Sequence, residues 1–251
     1  MKNKVIDSPA PLSGKIVLVT GAAKRLGRAI ALAAADHGAT VAITFRESEP
    51  EARQVVEQIA QRGADALALR CDVTDELSVR EMVKEVVSEL GAIDVLVNNA
   101  ANYATVEFAK LTVQQWDAIF ASNTRGPFLV SREALPHLKK RRGRIVNMGS
   151  LGGLRPWPTH AHYCSSKAAL HMLTRVMAKA LAPEISVNTV APGMIDLGEK
   201  AAAAFMRRTA TETPMARNGT AADVSAAVMF FATAPSFITG QLLAVDGGLG
   251  L

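Results

Sequence analysis

The chain has 251 residues, which at roughly 150 residues per domain fits one large domain or two small ones. Hydrophobic residues make up 49%, charged residues 20% and aromatics 5%, a balance that excludes disordered, collagen-like and disulfide-scaffold proteins. The opening residues hold no apolar leader, no run approaches about 18 apolar residues, and a formal charge of +5 is too dilute to imply a polyanionic partner. The expectation is a cytoplasmic protein with no membrane and no nucleic-acid partner.

The first 13 residues read as a flexible arm and 14–251 as one domain without repeats or linkers. A β-rich run at 16–20 passes through Thr20-Gly21-Ala22-Ala23-Lys24-Arg25-Leu26-Gly27 into a helix over 26–37. Gly21 allows a tight turn and Gly27 a close helix-to-strand approach, so amides at the helix N-terminus can face a pyrophosphate. The second strand, 40–45, ends at Arg46, where an acidic residue would accept a ribose 2′-hydroxyl. With Lys24 and Arg25, three cations are placed to converge on a 2′-phosphate, which favours NADP(H) over NAD(H).

A helix over 50–62, a strand over 66–70, a helix over 75–90 and a strand over 93–97 follow, the last running into Asn98-Asn99-Ala100-Ala101. One long helix is expected over 112–140, with Asn123 inside it. Its basic end, Lys139-Lys140-Arg141-Arg142-Gly143-Arg144, reads as solvated cations favoured by the helix dipole rather than a nucleic-acid patch. A strand over 144–148 leads to Ser150, and a helix over 161–181 carries Tyr163 and Lys167 one turn apart on one face. After a strand over 186–190, the excursion 192–219 reads as a substrate lid, and a helix over 221–234 and a strand over 242–245 close the chain. Thr74, Thr112 and Thr220 are the expected helix caps. Strands alternating with helices predict an α/β Rossmann-type fold, a doubly wound parallel sheet of seven strands with helices on both faces. Cys71 and Cys164 have no partners at metal-ligand or redox spacing, so reduced thiols and no metal are expected.

The Tyr163–Lys167 spacing carries a chemical possibility of its own. Lowering a phenol pKa by about two to three pH units costs about 3 to 4 kcal/mol. An ammonium about 4 Å away supplies about 4 kcal/mol at an effective dielectric of about 20. A lysine held close is thus enough to turn the phenol into a general acid or base near neutral pH.

Taken together, the Thr20 to Gly27 turn, Asp72-Val73, Asn98-Asn99-Ala100, Asn123, Ser150, Tyr163-x-x-x-Lys167, Pro192-Gly193 and Val245-Asp246-Gly247-Gly248 resemble the short-chain dehydrogenase/reductase family over about 13–251. The resemblance implies that Tyr163 protonates the substrate oxygen and Ser150 hydrogen-bonds it. Lys167 would lower the tyrosine pKa and grip the nicotinamide ribose, and Asn123 would hold a water in a proton relay. It also implies cofactor contacts from Gly21, Lys24, Arg25, Leu26, Gly27, Arg46, Asp72, Val73, Asn99, Ala100, Tyr163, Lys167, Pro192, Gly193 and Ile195.

The turn 21–27 is similar to that of pteridine reductases, whereas Ser150 is the residue expected of carbonyl reductases such as the 3-oxoacyl-carrier-protein type. The function expected is NADPH-dependent reduction of a small-molecule or carrier-linked carbonyl, with pteridine or dihydropteridine reduction as the alternative. A catalytically silent nucleotide-binding regulator is the alternative of another class. Leu197 and Ala101 depart from the common threonine and glycine. Trp157 offers a stacking wall, His160 and His162 read as polar rim residues, and Arg155, Arg207 and Arg208 as cations able to attract an anionic substrate. Relatives also imply a homotetramer, or a dimer, through helices 112–140 and 161–181.

Overall fold

A computed structural model describes residues 10–199 and 202–251. Seven parallel strands form one sheet: β1 (Ile16–Val19), β2 (Thr40–Phe45), β3 (Ala66–Arg70), β4 (Val95–Asn98), β5 (Arg144–Met148), β6 (Ser186–Pro192) and β7 (Leu242–Val245). Their order is β3-β2-β1-β4-β5-β6-β7, as expected of a doubly wound sheet in a single domain. The helices are α1 (Arg25–Asp36), α2 (Glu49–Ala60), α3 (Glu76–Leu90), α4 (Val113–Phe120), α5 (Gly126–Arg141), α6 (Ala161–Leu181), α7 (Ala203–Glu212) and α8 (Ala221–Thr233).

Side-chain alternation explains why the sheet must be covered twice. Val17 and Val19 join Val41, Ile43, Val95 and Val97 in a core under α1, α2 and α8. Leu18, Ala42 and Leu96 point the other way, into a second core with Met82 and Val86 of α3 and Val130 and Leu138 of α5. Each buried Val, Leu or Ile contributes roughly 1.5–3 kcal/mol by leaving water.

The order in which strands are added reverses between β1 and β4, and the loops after their C-terminal ends diverge there to leave a crevice. Within 10–13, expected in the arm, Leu12 is anchored: its amide donates to the His37 carbonyl at 2.9 Å and its side chain is buried. The rest of the expected arm, 1–9, lies outside the described residues.

The single helix expected over 112–140 is instead three pieces. α4 gives way to a π-helical turn, Ala121–Arg125, before α5 begins at Gly126-Pro127. Pro127 has no N–H, and in an unbroken α-helix that amide would have met the Asn123 carbonyl. A π turn at this point is the local consequence. Capping boxes at Thr112 and Thr220 form as expected, while α3 is capped by Asp75 rather than Thr74, its carboxylate accepting from the Leu77 and Ser78 amides. Inside the excursion 192–219, α7 forms where no helix was expected; residues 200–201 there lie outside the described residues.

Candidate active site

A groove of about 940 Å³ runs along the C-terminal ends of the strands. At one end, β1 delivers Gly21 with φ +62, and a Cβ there would meet the Ala100 backbone at 2.9 Å. A Cβ at Gly27 would meet both Asn99 Nδ2 and the Gly21 carbonyl at 2.5 Å. The turn is therefore closed against the chain after β4, and only glycine fits at those two points. Asn99 Nδ2 donates to the Thr20 and Gly21 carbonyls, the Thr20 hydroxyl accepts from the Asn99 and Ala100 amides, and Thr44 Oγ1 accepts from the Gly21 amide.

Arg25, where a three-glycine turn would place its middle glycine, keeps the left-handed backbone at φ +55. Such a conformation costs a non-glycine residue about 1–3 kcal/mol. All three expected cations line the groove, but each faces a carboxylate of the protein: Lys24 with Glu51 at 2.7 Å, Arg25 with Glu199 at 3.3 Å and Arg46 with Glu47 at 3.2 Å. Leu26, Asp72, Val73, Asn99, Ala100, Pro192, Gly193 and Ile195 also line it, with Asp72 occupied locally by the Thr74 amide and hydroxyl.

At the other end, Ser150, Tyr163 and Lys167 come together on the groove wall. Ser150 Oγ accepts from the Gly152 amide at 3.0 Å. Burial pushes the Tyr163 hydroxyl above its ordinary pKa, and the Ser150 hydroxyl opposes this only in part. Burial likewise pushes the Lys167 ammonium down to about 8. Lys167, expected to lower the phenol, is not among the groups acting on it here; burial is the largest influence. Lys167 Nζ donates to the Met148 carbonyl at 2.7 Å and lies 5.9 Å from the centroid of the Tyr163 ring.

Asn123 is fully buried and does not line the groove. Its side chain accepts from the Asn102 amide and Ser122 hydroxyl and donates to the Asn102 carbonyl and Ser166 hydroxyl. That exhausts a carboxamide's capacity, which leaves the main chain as the part of Asn123 that would hold the expected relay water.

Rings close the substrate side. Tyr103 meets Tyr163 edge-on at 5.0 Å, Trp157 lies nearly parallel to Tyr163 at 6.3 Å, and Tyr103 Oη sits 2.6 Å from His160 Nε2. His160 is a rim residue as expected, whereas His162 is fully buried with no polar partner among the described residues, which corrects its expected rim position. Arg155 is held by the Leu249 carbonyl, and Arg208 stacks on Phe205. Tyr103, Thr44 and Met148 are groove residues that the sequence reading missed; no spacing or motif marks them. Among the described residues no three His, Cys, Asp or Glu side chains are grouped to hold a metal ion, and no helix is long and apolar enough to cross a membrane.

A glycine-turned crevice at a sheet's switch point, ending on a partly buried tyrosine and a buried lysine, is the layout of a dinucleotide-dependent oxidoreductase. The comparisons with known proteins agree. The family model described as Enoyl-(Acyl carrier protein) reductase matches residues 21–250. The 3-oxoacyl-[acyl-carrier-protein] reductase FabG of Staphylococcus aureus is 38% identical over 240 residues, covering 94% of this chain and 98% of that protein. A short-chain dehydrogenase/reductase from Serratia marcescens superposes with a TM-score of 0.91 at 34% identity, covering 96% of this chain and all of that one. A putative short-chain alcohol dehydrogenase from Sinorhizobium meliloti superposes at 0.90 with 31% identity, covering 96% and 98%. The chain belongs to the short-chain dehydrogenase/reductase family, and is a carbonyl reductase that uses a nicotinamide cofactor.

Proposed function

We propose that the chain reduces a 3-oxoacyl or similar ketone carbonyl with NADPH, Tyr163 serving as general acid. The observation that carries this is the convergence of Ser150, Tyr163 and Lys167 on the same groove that begins at the Gly21–Gly27 turn. When bound, the nicotinamide supplies the hydride.

The turn's glycines leave room for a pyrophosphate at the start of α1. Lys24, Arg25 and Arg46 take the 2′-phosphate by exchanging their carboxylate partners for it. Asp72, Val73, Asn99 and Ala100 border the adenosine half, and Pro192, Gly193 and Ile195 the nicotinamide half. Lys167 holds the ribose beside it.

Ser150 donates a hydrogen bond to the substrate oxygen and fixes it near Tyr163 Oη. A phenol whose pKa is raised stays protonated at neutral pH and still gives its proton readily to an alkoxide, whose conjugate acid is a far weaker acid than a phenol. Reprotonation of Tyr163 proceeds past Lys167 from a water held at the Asn123 main chain, where Pro127 has removed the α-helical amide.

The stretch 192–219 acts as the lid, with Arg25–Glu199 joining it to the cofactor turn. A second copy packs on the outer face of α4, α5 and α6, where Trp116, Phe128, Met172 and Val176 are exposed, and the assembly is a cytoplasmic homotetramer. Light scattering reads that mass.

The decisive experiment follows NADPH and NADH oxidation with acetoacetyl thioesters, simple ketones, quinones and dihydropterins. Acetoacetyl thioester turnover with NADPH, lost by at least about a hundredfold in Tyr163→Phe, is the expected result. Turnover of dihydropterins alone overturns the substrate class, and no turnover of any panel member favours a silent nucleotide binder.

A further inference from the structure

Tyr163 and Lys167 are two members of a longer stripe. His171 continues it one turn further along α6, at the i+8 position from Tyr163, and is only 8% exposed. Its Nε2 lies 3.3 Å from the Ser150 amide and accepts from it, which places the ring proton on Nδ1. That Nδ1 has no hydrogen-bond partner among the described residues, so the Ser150 amide is the ring's polar attachment there.

The loop after β5 is shaped around this ring. A Cβ on Gly149 would overlap His171 Nε2, and one on Gly153 would come within 2.5 Å of its Cε1. Two glycines thus flank Ser150 at the points where the imidazole enters, and the short helical turn Leu151–Gly153 closes over it. Burial, aided by the Lys167 and Arg175 charges, pushes the imidazole pKa down to about 4, which keeps it neutral and able to accept.

We propose that His171 is a positioning residue for carbonyl reduction: it ties the backbone of Ser150 to the helix that carries Tyr163 and Lys167, and so fixes the two hydroxyls that must meet one substrate oxygen. This rests on the assignment of Ser150 and Tyr163 as the groups that contact that oxygen. His171 itself touches neither substrate nor cofactor. A loose Ser150 weakens the reacting geometry more than cofactor binding, so the loss falls on kcat rather than on KM for NADPH.

The test uses the full chain and compares wild type with His171→Leu, His171→Gln and Tyr163→Phe, reading kcat and KM for NADPH and for acetoacetyl thioester. His171→Leu is expected to lower kcat roughly 10- to 100-fold with KM for NADPH changed less than about twofold. His171→Gln, whose Oε1 can accept from the same amide, is expected to recover most of that loss; a role in packing alone predicts no such rescue. Wild-type kcat in a folded His171→Leu, with Tyr163→Phe inactive, overturns the inference and leaves the active-site assignment standing. Retained activity in Tyr163→Phe overturns that assignment instead. Should His171→Leu not fold, the imidazole ¹⁵N shifts of the wild-type protein decide: an Nδ1-protonated ring is expected, and an Nε2-protonated ring refutes the acceptor role.

Discussion

At the scale of single residues, the site depends on groups whose charge is set by burial. Lys167 is the clearest case. Buried in the groove wall, it gives up its proton at about 8 rather than near the ordinary lysine value of about 10.4. Above that pH the ammonium becomes an amine, and on the proposed mechanism it would no longer support the negative charge that develops on Tyr163 as it donates. The free-enzyme profile of kcat/KM should therefore fall on the alkaline side with a midpoint near 8, and a limb starting only above about 10 would contradict the burial argument. The linked stability effect has the opposite sense. Because the folded pKa is lowered, the unfolded chain binds more protons between about 8 and 10.4, so this lysine's burial becomes less costly as pH rises through that window. The Tyr163–Lys167 spacing was legible in the sequence, since a helical period places the two on one face. The direction of the tyrosine's pKa was not, because spacing cannot reveal that the ammonium would turn to the Met148 carbonyl.

At the scale of elements, the strands and most helices were readable because buried Val, Ile and Leu runs alternate with amphipathic stretches bounded by Thr and Gly. The failures have local causes. The apolar periodicity through 112–140 is continuous, and it concealed a π turn that only the missing amide of Pro127 explains. α7 was concealed for the opposite reason: it is short, and Thr209 is its buried residue, so no apolar stripe marked it. Pro127→Ala is expected to restore an α-helical bond to the Asn123 carbonyl, raise stability by up to about 1 kcal/mol and lower kcat several-fold. Thermal melting and steady-state rates of this variant provide the check; higher stability with undiminished kcat would separate the π turn from the proton relay. Asn123, Thr20 and Asn99 teach a related lesson. Their hydrogen bonds join the loops after β1 and β4 and the π turn to one another, so residues marked by a motif also serve as braces.

At the scale of the molecule, chemistry and anchoring occupy opposite edges of the sheet. The groove lies beyond the C-terminal ends of the strands. At the N-terminal edge, Asp94 is buried just before β4, accepts from the Ile16 amide and pairs with Lys15 and Arg141, tying β1, β4 and the end of α5 together. Burial by itself would raise this carboxyl, but the bonds from Arg141, the Ile16 amide and Lys15 outweigh it and hold its pKa below the usual value. A lowered folded pKa gives stability that is present above the unfolded value of about 3.9 and disappears as pH falls through the folded one. Asp94→Asn is expected to cost about 1–3 kcal/mol at neutral pH, discounted because both cations are partly exposed, and to leave kcat unchanged. Denaturant titrations at neutral pH and near pH 3 test this, since the gap between wild type and variant should narrow at the lower pH. Two cations of the sequence's basic run belong to this architecture: Arg141 anchors Asp94 and Arg144 donates to the Ala234 carbonyl.

The acidic partners of Lys24, Arg25 and Arg46 have a thermodynamic corollary for ligand capture. Each guanidinium or ammonium already faces an anion from its own chain, so arrival of a phosphomonoester trades one ionic contact for another. Added electrolyte screens the outgoing and the incoming contact alike. The dissociation constant for NADPH should consequently vary little with potassium chloride concentration, and neutralising Glu51 and Glu199 together should make it both tighter and steeply dependent on salt.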